Sequence, residues 1–91
     1  MKRIQVVIPW PQGLHLRPAA DLVRLAGRFR AAIQLSCGER IADARSLMSV
    51  LLLCAVAGTA LEVEVSGDDE EMAIEAVASV FQQTDTPPSS A

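Results

Sequence analysis

The residues of this chain that could do chemistry are few. It has one histidine, His15, and two cysteines, Cys37 and Cys54. His15 stands in the segment Gly13-Leu14-His15-Leu16-Arg17-Pro18-Ala19-Ala20, after a glycine turn and before an apolar-periodic stretch. Each part of that segment suits phosphate. Free N–H groups at a helix N-terminus, with the helix dipole, form an anion site. Arg17 offers a permanently charged planar fork for phosphate oxygens. Imidazole is a nucleophile that can be neutral near pH 7 and can carry a covalent group. The plainer alternative is that His15 only caps the helix. A hydrolase triad has no second histidine or Ser-His pairing to draw on. Three sulfur and imidazole donors cannot complete the usual four-ligand zinc site without a carboxylate, and their spacing matches no common zinc pattern, so no metal is expected. Two cysteines make no disulfide scaffold, and both are expected to be reduced in the cytosol.

The elements that must position this segment follow from the hydrophobic pattern. Residues 2–8 alternate, with Ile4, Val6 and Ile8 on one side, and predict a half-buried strand that Pro9 and Pro11 end. From about Leu16 to Phe29 the apolar residues Ala19, Leu22, Val23, Ala26 and Phe29 mark one helical face, with Pro18 in the first turn. Residues 31–37 alternate again through Ile33, Leu35 and Cys37, Gly38-Glu39 turns, and Arg40–Ala42 start a return strand. Ser46 through Leu53 predicts a short helix with a serine cap. That helix is apolar almost all round, so part of it is core (Val50, Leu53 and Leu52) and part must be exposed or meet a partner. Residues 60–66 alternate as a strand. The acids Asp68, Asp69, Glu70 and Glu71 then precede a helix with Ala73, Ile74, Val77, Val80 and Phe81 on its apolar face, where negative charge suits the helix dipole. The order β-α-β-β-α-β-α predicts an α+β fold, one antiparallel sheet with three helices on one face. The polar, proline-containing stretch 84–91 is expected to be a disordered tail after a single domain of residues 1–83.

With 91 residues there is no room for a second core. The longest mostly apolar stretch, Leu47 to Ala57, is far short of the roughly 20 residues that span a bilayer. The N-terminus lacks the apolar region and cleavage site of a signal peptide, so a soluble cytoplasmic protein is expected. The net charge of −3 hides a split: residues 1–45 hold all eight Lys and Arg against three acids, net +5, and residues 46–91 hold eight acids and no base, net −8. The acidic balance argues against a nucleic-acid binder. A local positive patch on an acidic protein suits an acidic partner or a phosphate.

The segment Gly13-Leu14-His15-x-Arg17-Pro18-Ala19 resembles the active-site signature of the HPr family, the histidine phosphocarriers of the bacterial phosphoenolpyruvate-dependent phosphotransferase system. Ala44-Arg45-Ser46-Leu47-Met48 is similar to the family's second signature, and the element order, the Gly58-Thr59 turn and the acidic start of the last helix fit as well. The resemblance covers roughly residues 2–83. It implies an HPr-like open-faced sandwich with a four-stranded antiparallel sheet. It implies that His15 takes a phosphoryl group on Nδ1 from enzyme I and passes it to an EIIA-type acceptor protein, with Arg17 neutralising the transferring group. The protein would then be a phosphoryl carrier rather than a turnover enzyme, with no cofactor beyond the phosphoryl group that phosphoenolpyruvate supplies. Ser46 resembles the serine that an HPr kinase/phosphorylase modifies, where a phosphate would add about −1.5 to −2 charge. Leu16, Ala20, Leu47, Met48 and Leu51 would form an apolar docking patch rimmed by Arg17, Arg24 and Arg45.

Several residues depart from the family pattern. Trp10 stands where a small residue is frequent, and either shields or packs the His15 loop. Gln12 replaces a better turn former, Cys54 stands at a usual glycine, and Ser49 and Gly27 stand where the sugar-transport branch often carries lysine. The runner-up reading is therefore an NPr-like or Crh-like regulatory protein that acts by binding partners rather than by supporting sugar uptake. A Crh-like module would lack the histidine that this chain has.

Overall fold

The structure, a computed structural model, describes residues 1–53 and 56–82. The elements follow the expected order: β1 (Lys2–Val7), α1 (Leu16–Ala26), β2 (Ala32–Cys37), β3 (Arg40–Asp43), α2 (Leu47–Leu52), β4 (Ala60–Ser66) and α3 (Glu70–Val80). The expected tail, 84–91, and Cys54 lie outside the described residues. The strands form one sheet in the order β1-β4-β2-β3, with every neighbouring pair antiparallel.

Alternation within each strand sets the two faces. Ile4, Val63, Leu35 and Ala42 lie in one cross-strand row, and Val65 stands opposite Ile33. This side is the core, where Leu35, Leu61, Val63 and Val65 are fully buried. The other side carries the rows Gln5-Glu62-Ser36-Ile41 and Arg3-Glu64-Gln34-Asp43. Slipping a strand by one residue would exchange the two sets, so the pattern pins the register. The helices cover the apolar side through Ala19, Leu22 and Ala26 of α1, Val50 of α2, and Ala73, Val77 and Val80 of α3. The result is an open-faced sandwich.

Helix ends differ from the sequence expectation in physical detail. The apolar face predicted to run to Phe29 stays on the core, but the α-helix stops at Ala26. Gly27 caps it, and the N–H groups of Arg28 and Phe29 then bond three residues back, to Leu25 and Ala26, as tightened turns. Phe29 still packs against the core. In α2, Val50 and Leu53 are core as expected, but Leu52 is 62% exposed and is corrected to a surface residue. One short helix on a sheet buries a stripe, and Leu52 falls off it.

The acidic run before α3 makes particular hydrogen bonds. The Asp69 carboxylate accepts the N–H groups of Arg30 and Ala31, both at 2.9 Å, and so ties the loop after α1 to the start of α3. Glu70 accepts the Gly67 N–H at 3.1 Å. Gly67 has φ of 151°, and a Cβ there would lie 2.6 Å from the Cα of Ala31, so only glycine fits this close approach.

Candidate functional site

His15 is the N-cap of α1, with extended backbone dihedrals (φ −109°, ψ −172°). Its carbonyl accepts the Ala19 N–H at 3.0 Å, the first bond of the helix. The N–H groups of Leu16 and Arg17 precede that bond and Pro18 has none, so the helix begins with donors that have no backbone acceptor among the described residues. The plain capping alternative is not what the side chain does: the imidazole makes no capping hydrogen bond. It turns back instead, and Nδ1 donates to the Gly13 carbonyl at 2.9 Å. A carbonyl oxygen has no proton to give, so Nδ1 carries the hydrogen. His15 is half-buried in this position.

The loop before His15 is tightly built. Pro11 and Gln12 form the middle of a turn closed by the Gly13 N–H on the Trp10 carbonyl at 2.8 Å, and Gly13 takes φ of 77°. The two roles weighed for Trp10 are decided in favour of packing. Its side chain is 2% exposed and lies on Phe81, with ring centroids 5.4 Å apart at 39°. Phe81 closes the apolar face of α3, so the end of the last helix supports the loop that carries His15. Bulk alone marks Trp10 in the sequence; the partner, 71 positions away, does not show there.

The other candidate residues spread over α1, α2 and the turns beside them. Arg17 is exposed in the first turn of α1. The helices α1 and α2 pack against each other. Leu16 (60%) and Met48 (66%) are exposed on them, while Ala20, Leu47 and Leu51 are half-buried. Leu52 joins the exposed apolar set, which the sequence reading missed by assigning it to the core. Arg24 forms an ion pair with Asp21 one turn before it. The Arg45 guanidinium donates to the Phe29 carbonyl at 2.6 Å, so it spans the loop after α1 rather than projecting freely. Ser46 caps α2, its Oγ accepting the Ser49 N–H at 3.3 Å. Among the described residues no cluster of His, Cys, Asp and Glu could hold a metal ion, and no helix is long and apolar enough to cross a membrane.

The fold is a small open-faced sandwich with a lone histidine at the start of its first helix. The family model described as the phosphorylation site of the HPr component of the phosphotransferase system matches residues 2–83. The phosphocarrier protein HPr of Xylella fastidiosa is 35% identical over 78 residues, 86% of this chain and 88% of that one. HPr of Lysinibacillus sphaericus is 35% identical over 83 residues, 91% and 94% of the two chains. The crystal structure of HPr-C-His from Thermoanaerobacter tengcongensis superposes with a TM-score of 0.86 at 33% identity, covering 90% of this chain and 92% of that one. The chain belongs to the HPr family of phosphotransferase-system phosphocarriers. The runner-up, a regulatory protein that only binds partners, is not favoured.

Proposed function

We propose that His15 is the phosphoryl acceptor of this chain, that enzyme I is its donor and that EIIA-type proteins are its acceptors, all in the cytoplasm. The observation that carries the reading is the position of His15 at the N-cap of α1, with the N–H groups of Leu16 and Arg17 and the Arg17 guanidinium next to it in the chain. In the transfer, a ring nitrogen lone pair of His15 forms a bond to phosphorus. The bond between phosphorus and the donor's imidazole breaks, and the donor ring keeps that electron pair. The carrier has little else to do covalently, because phosphoryl transfer is mostly positioning and charge stabilisation. The helix N-terminus and Arg17 supply both, so the reading needs no cofactor. Exposed Leu16 and Met48 supply an apolar contact for a transient partner, with Ala20, Leu47 and Leu51 at its base and Arg24 and Arg45 at its edge. Ser46 offers a second phosphorylation site to an HPr kinase/phosphorylase, because a helix N-terminus tolerates the added negative charge.

The test is intact mass after incubation with phosphoenolpyruvate and enzyme I. Wild type gains one phosphate that acid removes, and His15→Ala gains none. A phosphate that survives acid, or one that His15→Ala also takes up, overturns the assignment of His15.

A further inference from the structure

Trp10 is the largest side chain of the loop before His15, and the phosphate chemistry gives it no task. Its placement does. Pro9 and Pro11 restrict the backbone on both sides of it. Its ring is buried on Phe81 in a tilted aromatic pair. Its carbonyl accepts the Gly13 N–H at 2.8 Å. Gly13 is itself buried, and its left-handed φ of 77° turns its own carbonyl onto Nδ1 of His15 at 2.9 Å. An unbroken series of contacts therefore runs from the end of α3 to the reacting ring: Phe81, the indole, the Trp10 carbonyl, the Gly13 peptide and Nδ1.

We propose that Trp10 is a positioning residue for His15: clamped on Phe81, it fixes the Gly13 carbonyl so that the neutral imidazole rests with its proton on Nδ1 and its lone pair on Nε2. The consequence for transfer rests on reading His15 as the phosphoryl acceptor; the tautomer itself does not. If the acceptor nitrogen is Nδ1, as the family resemblance implies, the resting tautomer is the unreactive one. The Nδ1 proton must first leave the Gly13 carbonyl and pass through water to Nε2, which frees the Nδ1 lone pair for phosphorus. The ring that results carries phosphoryl on Nδ1 and hydrogen on Nε2, with no net change in its protons. The clamp thereby sets how readily the carrier enters its reactive form.

The test is nitrogen NMR of the ¹⁵N-labelled imidazole in the unmodified protein at about pH 9, where free histidine is neutral. In wild type, Nδ1 carries the proton signature and Nε2 the lone-pair signature. Trp10→Ala and Phe81→Ala each lower the ratio of the Nδ1–H to the Nε2–H form by about three- to ten-fold, the range of one net hydrogen bond. Trp10→Phe keeps a ring pair and holds the wild-type ratio within about two-fold on the same scale. Should Trp10→Ala fail to unfold cooperatively, Phe81→Ala and Phe81→Leu carry the test, because they leave the loop sequence intact. A purely structural role for Trp10 would lower the melting temperature and leave the tautomer ratio alone, and that result overturns the proposal. So does a wild type with its proton on Nε2, or a Trp10→Phe that loses as much as Trp10→Ala. A failure of the carrier reading would show separately, as no mass gain on wild type with active enzyme I.

Discussion

Arg17 is two residues after His15, exposed, and makes no ion pair among the described residues. Its planar fork is therefore at hand when charge develops on a transferring phosphoryl group. Arg17→Ala is expected to slow transfer from phosphorylated enzyme I by about 10²-fold, the scale of losing one preorganised donor at a reacting oxyanion. The affinity of the unphosphorylated complex should change far less, and Arg17→Lys should recover only part of the rate, because it restores charge without the fork. Rapid-quench transfer kinetics beside a binding isotherm separate the two quantities. Equal losses in rate and affinity would place Arg17 in docking alone. Ser46 poses a different question, because its hydroxyl already has a structural task. The 3.3 Å bond to the Ser49 N–H is long for a cap. Ser46→Ala should then cost about 0.5–1 kcal/mol in thermal unfolding, the low end for a lost cap. Ser46→Asp retains a cap acceptor and so should keep the stability. It should weaken enzyme I binding at low salt and lose that effect at high salt, which a titration at two ionic strengths reads directly.

At the scale of elements, the join between the loop after α1 and the start of α3 rests on Asp69. The backbone N–H of Arg30, above all, holds its carboxyl below the ordinary carboxylate range, with the Ala31 N–H adding to it against some desolvation. Glu70 is lowered too, first by the N-terminal ammonium and then by the Gly67 N–H. Both groups have depressed values in the fold, so their contribution is complete above the unfolded carboxylate range, about 4. It is lost as the pH falls through the lower folded values. Stability should decline below about pH 4, and Asp69→Asn should flatten that decline while lowering stability at neutral pH. Denaturant midpoints measured across this pH range check it; an unchanged acid slope in Asp69→Asn would remove Asp69 from the account. This join also shows what the sequence could and could not disclose. The acid run was legible as a helix start, but its partners at positions 30 and 31 lie across the fold, and nothing local marks them. Strand alternation gave all four strands to within a residue, because a two-residue period with one buried face has one solution. His15, Arg17 and Ser46 were legible because each sits at a helix start that the chain itself punctuates. The fold-back of His15 onto Gly13 was not, because it depends on a loop held from the far end of α3. The end of α1 was missed because Phe29 keeps the apolar phase after the helix has already tightened at Gly27.

For the whole molecule, the charge split of the chain becomes a smaller and more local asymmetry once folded. Lys2 and Arg3 belong to the basic half, yet they face Glu71, Glu62 and Glu64, which neutralise them. Arg24 is paired with Asp21, Arg40 donates to the Leu52 carbonyl, and Arg45 donates to the Phe29 carbonyl. Arg17 and Arg28, like Arg40 and Arg45, make no ion pair among the described residues, while the Arg30 charge acts on Asp69. Arg17 and Arg28 thus place unpaired positive charge at and just beyond the two ends of α1. Arg28 lines a shallow depression with Asp21, Arg24 and Leu25 of α1 and Val80 of α3. It follows directly on Gly27, the C-cap of α1. A field of this kind acts on encounter more than on the bound state. Arg28→Ala should slow association with enzyme I about two- to five-fold at low salt and leave dissociation nearly unchanged. Arg3→Ala removes the same formal charge from a neutralised site on the open sheet and should leave association alone. At about 1 M salt the Debye length shrinks to roughly 3 Å, and the two variants should associate at the same rate. Stopped-flow association at several ionic strengths measures this. Equal slowing by both variants would mean that net charge, not its placement on α1, steers the encounter.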